Sequence, residues 1–129
     1  MTENEVATIV VDVAFKIHST LGPGLLESVY KSIMAVELQR RGLKVRIEVP
    51  LPVVWEGLRI EQGFRLDLLV EEIVIVELKS IEVLAPVHKK QVLTYLRLTD
   101  KRLGLLINFG AAYIKDGMIR IVNGLNEQS

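Results

Sequence analysis

Three charged side chains near the middle of the chain have the types and spacing that metal-assisted phosphate chemistry requires. Glu77 and Lys79 lie two residues apart at the end of an apolar segment, and Asp67 interrupts an earlier apolar segment, RLDLLV. Residues i and i+2 of a β-strand point to the same face, so Glu77 and Lys79 would lie side by side. If a tight turn joins the two segments, Asp67 and Glu77 lie at nearby ends of one hairpin. Carboxylate oxygens suit Mg²⁺ or Mn²⁺ far better than Zn²⁺.

The same three residues also admit a purely structural interpretation. Glu77 and Lys79 could form an ion pair at the end of a strand, with Asp67 facing solvent. An acid in a mostly apolar hairpin favours a bound partner such as a metal, because a buried carboxylate needs one. Both interpretations stay open on the residues alone.

Composition restricts the fold and the chemistry. Half of the 129 residues are hydrophobic but only 5% are aromatic, which predicts a core of Val, Ile and Leu and favours a buried sheet flanked by helices. The absence of cysteine excludes thiolate metal sites and a cysteine nucleophile. Sixteen basic residues balance sixteen acidic ones, so the chain has no overall positive field that would concentrate nucleic acid. No signal peptide or membrane span is recognised, which predicts a cytoplasmic location.

Hydrophobic periodicity predicts helices over residues 3–20, 25–41 and 86–99. Thr2 and Glu5 have the form of a capping box, and Gly42 is expected to end the second helix. Strands are predicted over residues 43–49, 53–55, 64–70, 73–79 and 103–109, followed by an edge hairpin of residues 112–114 and 118–122. The predicted order is ααββββαβββ, in one domain over residues 1–125 with a polar tail at 126–129.

Several motifs together resemble a known family. GLLESVY, at residues 24–30, has the form G-x-x-E-x-x-Y, and HKKQVLTY, at residues 88–95, contains Q-x-x-x-Y. With the RLDLLV and VIVELKS segments, they make nearly the whole chain similar to the bacterial GxxExxY proteins, which are grouped with the PD-(D/E)XK nuclease superfamily. Leu66 stands where many members of the superfamily have a proline before the aspartate.

The resemblance implies an α/β (α+β) fold with a restriction-endonuclease-like three-layer core, in which helices flank a central mixed sheet. It also implies a Mg²⁺- or Mn²⁺-dependent nuclease acting on nucleic acid, DNA rather than RNA. The residues that correspond to the superfamily's catalytic set are Asp67, Glu77, Lys79, Gln91 and Tyr95. The metal ligands that it implies are Glu27, Asp67, Glu77 and the backbone carbonyl of Leu78. We expect Lys79 mainly to stabilise charge that develops on the phosphate.

Each additional residue also has a structural alternative. Glu27 could only stabilise a helix start, and Gln91 with Tyr95 could mark a solvated helix face. We expect His88 to be a helix-start residue, and Tyr30 and Trp55 to pack in the core rather than to contact a ligand. The alternatives for function are a non-catalytic module that binds nucleic acid or protein, and an enzyme on another phosphorylated substrate. The high apolar fraction also suggests a homodimer interface.

Overall fold

The computed structural model of the chain describes residues 1–126, apart from the side chain of Gln62. All three predicted helices are present in it: α1 Glu3–Leu21, α2 Glu27–Arg40 and α3 Pro86–Thr99. The capping box of α1 forms as predicted, because the Glu5 amide donates to the Thr2 hydroxyl and the Thr2 amide donates to the Glu5 carboxylate. Beyond residue 126, the predicted polar tail lies outside the described residues.

Within the described residues the sheet has five strands, which lie side by side in chain order. They are β1 Val45–Trp55, β2 Leu58–Val70, β3 Val74–Lys79, β4 Leu103–Asn108 and β5 Met118–Val122. Neighbouring strands are antiparallel except β3 and β4, which are parallel. A parallel pair needs a crossover connection, and α3 supplies it. The predicted tight connection between β2 and β3 forms at Glu71 and Glu72, both with positive φ angles of 53° and 61°.

Two hydrophobic cores lie on opposite faces of the sheet and divide the fold into three layers. One core joins α1 and α2 to the sheet through residues such as Val10, Met34 and Leu78. The other joins α3 to the sheet through residues such as Ile75 and Leu96. The predicted three-layer arrangement of helices around a mixed sheet is therefore confirmed.

The predicted order of strands is wrong in two places. Residues 43–49 and 53–55 do not form two strands but belong to one strand, β1, which continues through Pro50 and Pro52. This is possible because β1 lies at the edge of the sheet, where a missing N–H need not interrupt a ladder. Residues 112–114 form no strand, and a 3₁₀ turn, Ile114–Gly117, leads into β5 instead.

The hairpin of β1 and β2 extends well beyond β3. Only residues 68–70 of β2 pair with β3, so residues 49–66, which we call the hairpin arm, form a two-stranded extension. Trp55 lies at its tip and is 65% exposed, so the prediction that it packs in the core is wrong. None of the helices within residues 1–126 is long and apolar enough to cross a membrane.

Candidate active site

Asp67 and Glu77 come together at the point where β2 and β3 separate. The last regular pair on this side is Leu68 with Val76. One residue further, the Asp67 amide donates to Glu77 Oε1 at 3.0 Å, and the Leu78 amide donates to Asp67 Oδ2 at 2.8 Å. The two carboxylates thus replace the backbone partners that a continued ladder would provide. Each acid is fixed by the backbone of the opposite strand.

The strands exchange faces at this point. Val45 packs against the core under α1 and α2, whereas Val49 packs against the core under α3, although regular alternation would place both on one face. Leu68 and Leu66 differ in the same way. Between Val45 and Val49 lies Glu48, whose backbone has a positive φ angle of 52° that residues other than glycine rarely adopt. The Asp67 side chain accepts the Leu78 amide at the same place along the sheet.

Burial and charge act together on Glu77. Its side chain faces the α3 layer, like that of Ile75 two residues earlier, and it is 7% exposed. Burial, and next the neighbouring Asp67 carboxylate, raise the pKa of Glu77 to about 9, although Lys79 acts in the opposite direction. Without a cation the pair therefore carries less than its full negative charge at neutral pH.

Lys31 is a site residue that sequence reasoning missed. Its ammonium, on α2, lies 3.2 Å from Asp67 Oδ1 and 3.3 Å from Glu48 Oε1. Burial lowers the pKa of Lys31, but the two carboxylates outweigh it and leave the pKa above its ordinary value. The signal available in the sequence was helical spacing, since Lys31 follows Glu27 by four residues and so lies on the same face of α2.

Of the other predicted site residues, Tyr95 and Lys79 lie close enough to the pair for charges to interact, whereas Glu27 and Gln91 make no described contact with it. Tyr95 is buried on α3, and its ring centroid lies 4.9 Å from that of Phe64. Burial and the charges of Glu77 and Asp67 raise its pKa. Lys79 is half-buried at the end of β3, whereas Gln91 is exposed one turn before Tyr95. Glu27 is half-buried in the first turn of α2.

The structure also decides the structural alternatives for Tyr30 and His88. The Tyr30 ring stacks on Phe109 at 4.4 Å in the core, and its hydroxyl donates to the Gly22 carbonyl at 2.5 Å. His88 Nδ1 accepts the Ala85 amide at 3.0 Å, as expected of a residue that caps a helix start. Both predictions of a structural role are confirmed.

Asn108 is a second residue whose importance was missed. It is 1% exposed at the end of β4, and its side-chain amide donates to the Ile81 carbonyl at 2.8 Å. Its carbonyl oxygen accepts the amides of Ile81 and Gly110, each at 3.0 Å. A Cβ at Gly110 would lie 2.1 Å from the Ile81 carbonyl oxygen, so only glycine fits there. These contacts fix the segment that follows Lys79.

We expect Asn108→Ala to lower the free energy of unfolding by about 3 kcal/mol, because it removes three hydrogen bonds to partly buried backbone groups of Ile81 and Gly110. Urea denaturation measures the change. The matched control is Asn123→Ala, which removes one hydrogen bond, to the Lys101 carbonyl, and should cost about 1 kcal/mol. Equal losses in the two variants would show that Asn108 has no special role in fixing this segment.

The donor set at the separation of β2 and β3 fits a hard divalent cation. Two carboxylates share the position, and the pKa of one of them, Glu77, is raised by burial first and by the other carboxylate second. Lys31 already places a positive charge against Asp67, which shows that the position accepts a cation. Among the described residues, no three His, Cys, Asp or Glu side chains are grouped closely enough to hold a metal ion.

The fold is thus a mixed sheet between helical layers, with two acids and a lysine where a central strand ends. A family profile of the PD-(D/E)XK nuclease superfamily matches residues 4–121, and the chain therefore belongs to that superfamily. No significant match to this chain occurs among curated proteins or among solved structures.

Proposed function

We propose that the protein hydrolyses phosphodiester bonds of nucleic acid, DNA in preference to RNA, with the help of Mg²⁺ or Mn²⁺. The observation that supports this most directly is the reciprocal fixing of Asp67 and Glu77 by the Leu78 and Asp67 amides. Two acids held in this way at the end of a buried strand, beside Lys79, are preorganised to hold a cation near a phosphate.

The ligands in this proposal are Asp67, Glu77, Glu27 and the Leu78 carbonyl. A divalent ion bound there would polarise the scissile phosphate and lower the pKa of a water molecule. Glu27 lies on the face of α2 that carries Lys31, and Lys31 reaches Asp67. Glu27 is not grouped with the two acids among the described residues, so a movement of its side chain toward Asp67 is part of the proposal.

The remaining residues have roles that follow from their positions. Lys79 points to the same side of β3 as Glu77, so its ammonium can stabilise negative charge on a phosphate oxygen. Tyr95 excludes water from the α3 side of the acids, because its ring is buried against Phe64. Gln91, exposed one turn away on α3, is available to donate to a phosphate oxygen or to orient a water molecule.

The hairpin arm gives support to a second candidate, a module that binds nucleic acid or protein without cleaving it. Val54, Trp55 and Leu58 are each more than 60% exposed at its tip, an apolar surface that a catalytic site does not require. We also propose that this tip can serve as a homodimer interface. A cytoplasmic location is a separate proposal.

Cleavage of labelled single- and double-stranded DNA and RNA distinguishes these candidates. We expect Mg²⁺ or Mn²⁺ to support cleavage, a chelator to stop it, and DNA to be cut faster than RNA. Lys79→Ala should lower kcat by about two orders of magnitude, by removing one group that stabilises developing charge. If metal binds but neither wild type nor variant cuts any substrate, the binding module or another phosphorylated substrate is favoured.

A further inference from the structure

A row of side chains with alternating charge crosses the candidate site from the hairpin arm to α2. Arg65 Nη1 lies 3.5 Å from Glu48 Oε2, Lys31 bridges Glu48 Oε1 and Asp67 Oδ1, and Asp67 Oδ2 accepts the Leu78 amide. Asp67 therefore has each of its two oxygens occupied by a donor from the chain. A divalent ion at Asp67 Oδ1 would lie beside the Lys31 ammonium, and repulsion between the two positive charges opposes their binding to the same oxygen.

Two further features indicate that the surrounding structure holds Lys31 at this place. Its side chain is only 15% exposed, so the ammonium is confined near the carboxylates rather than spread in solvent. Its second partner, Glu48, has the strained positive φ angle, a conformation that usually persists only where the surrounding structure or a function requires it. Glu48 would keep Lys31 beside the site after its contact with Asp67 is broken.

We propose that the Lys31 ammonium is an internal counter-ion of Asp67 that competes with the divalent metal for Asp67 Oδ1. This inference rests on the proposed function, since it presupposes a metal at Asp67. In the metal-free chain Lys31 compensates the charge of Asp67. When metal binds, Lys31 turns from Asp67 while it stays paired with Glu48, and it becomes a second ammonium, with Lys79, that can contact the phosphate.

The test is the dissociation constant of Mn²⁺ for the intact chain, measured by titration calorimetry. Lys31→Met keeps the length of the side chain but removes its charge, and we expect it to tighten Mn²⁺ binding roughly tenfold. The matched control is Lys16→Met, which removes the same charge from an exposed lysine paired with Glu37 at 2.8 Å, and it should leave the affinity unchanged. In the wild type, the ¹⁵N NMR signal of the Lys31 ammonium should shift as Mg²⁺ is added.

The outcomes separate this inference from the proposed function. If the wild type binds neither Mn²⁺ nor Mg²⁺, the metal-dependent function fails, and the competition fails with it. If the wild type binds metal but Lys31→Met binds Mn²⁺ as the wild type does, or more weakly, only the competition is overturned. Weaker binding would mean that Lys31 orients Asp67 for the metal. A Lys31 signal that does not respond to Mg²⁺ would overturn the inference without any variant.

Discussion

Replacing Asp67 by asparagine is expected to lower kcat/KM for nucleic acid cleavage by about three orders of magnitude or more while the protein stays folded. The amide oxygen of asparagine can still accept the Leu78 amide, so the contact between β2 and β3 is retained. The negative charge that would hold a metal is lost. The measurement is cleavage of the preferred substrate under saturating Mg²⁺, with circular dichroism to confirm the fold.

The control for this variant is Asp12→Asn. Asp12 is exposed on α1 and pairs with Arg41 at 2.7 Å, so this substitution changes the net charge by the same amount outside the candidate site. It should leave cleavage within about twofold of the wild type, as expected for a surface substitution. If the Asp67→Asn variant cleaves nucleic acid as well as the wild type does, Asp67 has no role in the proposed mechanism.

Glu77→Gln is expected to stabilise the metal-free chain, and by more at high pH than at low pH. The carboxyl of Glu77 has a pKa of about 9 when folded, against an ordinary value of 4.5. Between these values the folded chain retains a proton that the unfolded chain releases, so the stability of the wild type falls as the pH rises through this window. Glutamine does not titrate. The free energy of unfolding of the variant should therefore exceed that of the wild type by roughly 3 kcal/mol at pH 7.

Chemical denaturation from pH 5 to pH 9, in the presence of a chelator, measures this effect. Glu82→Gln, at an exposed position, serves as the control and should follow the wild-type profile. Addition of Mg²⁺ should flatten the profile of the wild type, since ionised Glu77 then has a partner that binds the native state. Parallel profiles for wild type and Glu77→Gln would show that Glu77 titrates normally and is not a buried acid of the kind described.

Local patterns predicted most of the elements because their causes are local. The capping box of α1, the end of α2 near Gly42 and the start of α3 at Pro86 each depend on residues within a few positions of one another. The errors arose where position in the sheet overrides local preference. Pro50 and Pro52 predicted an interruption, but an edge strand tolerates them.

Some features of the candidate site and of the hairpin arm were likewise predictable from local patterns, and others were not. Alternation along one strand places Glu77 and Lys79 on one side, and a tight turn brings the Asp67 segment next to them, so the acidic pair was predictable from the sequence. The exposure of Trp55 was not predictable, because it depends on how far the hairpin arm extends beyond β3, and alternation along the strands does not show where the pairing of β2 with β3 stops.

By itself, the sequence determined the helices, the tight hairpin and the types of residue that could bind a metal, because each follows from spacing along the chain. Only the tertiary structure decided that Lys31 reaches Asp67 and Glu48, and that Asn108 fixes the segment after Lys79. These contacts join residues that are far apart in the chain. They form because packing of α2 on the sheet and the pairing of β3 with β4 bring distant segments within a few ångströms, which no local pattern encodes.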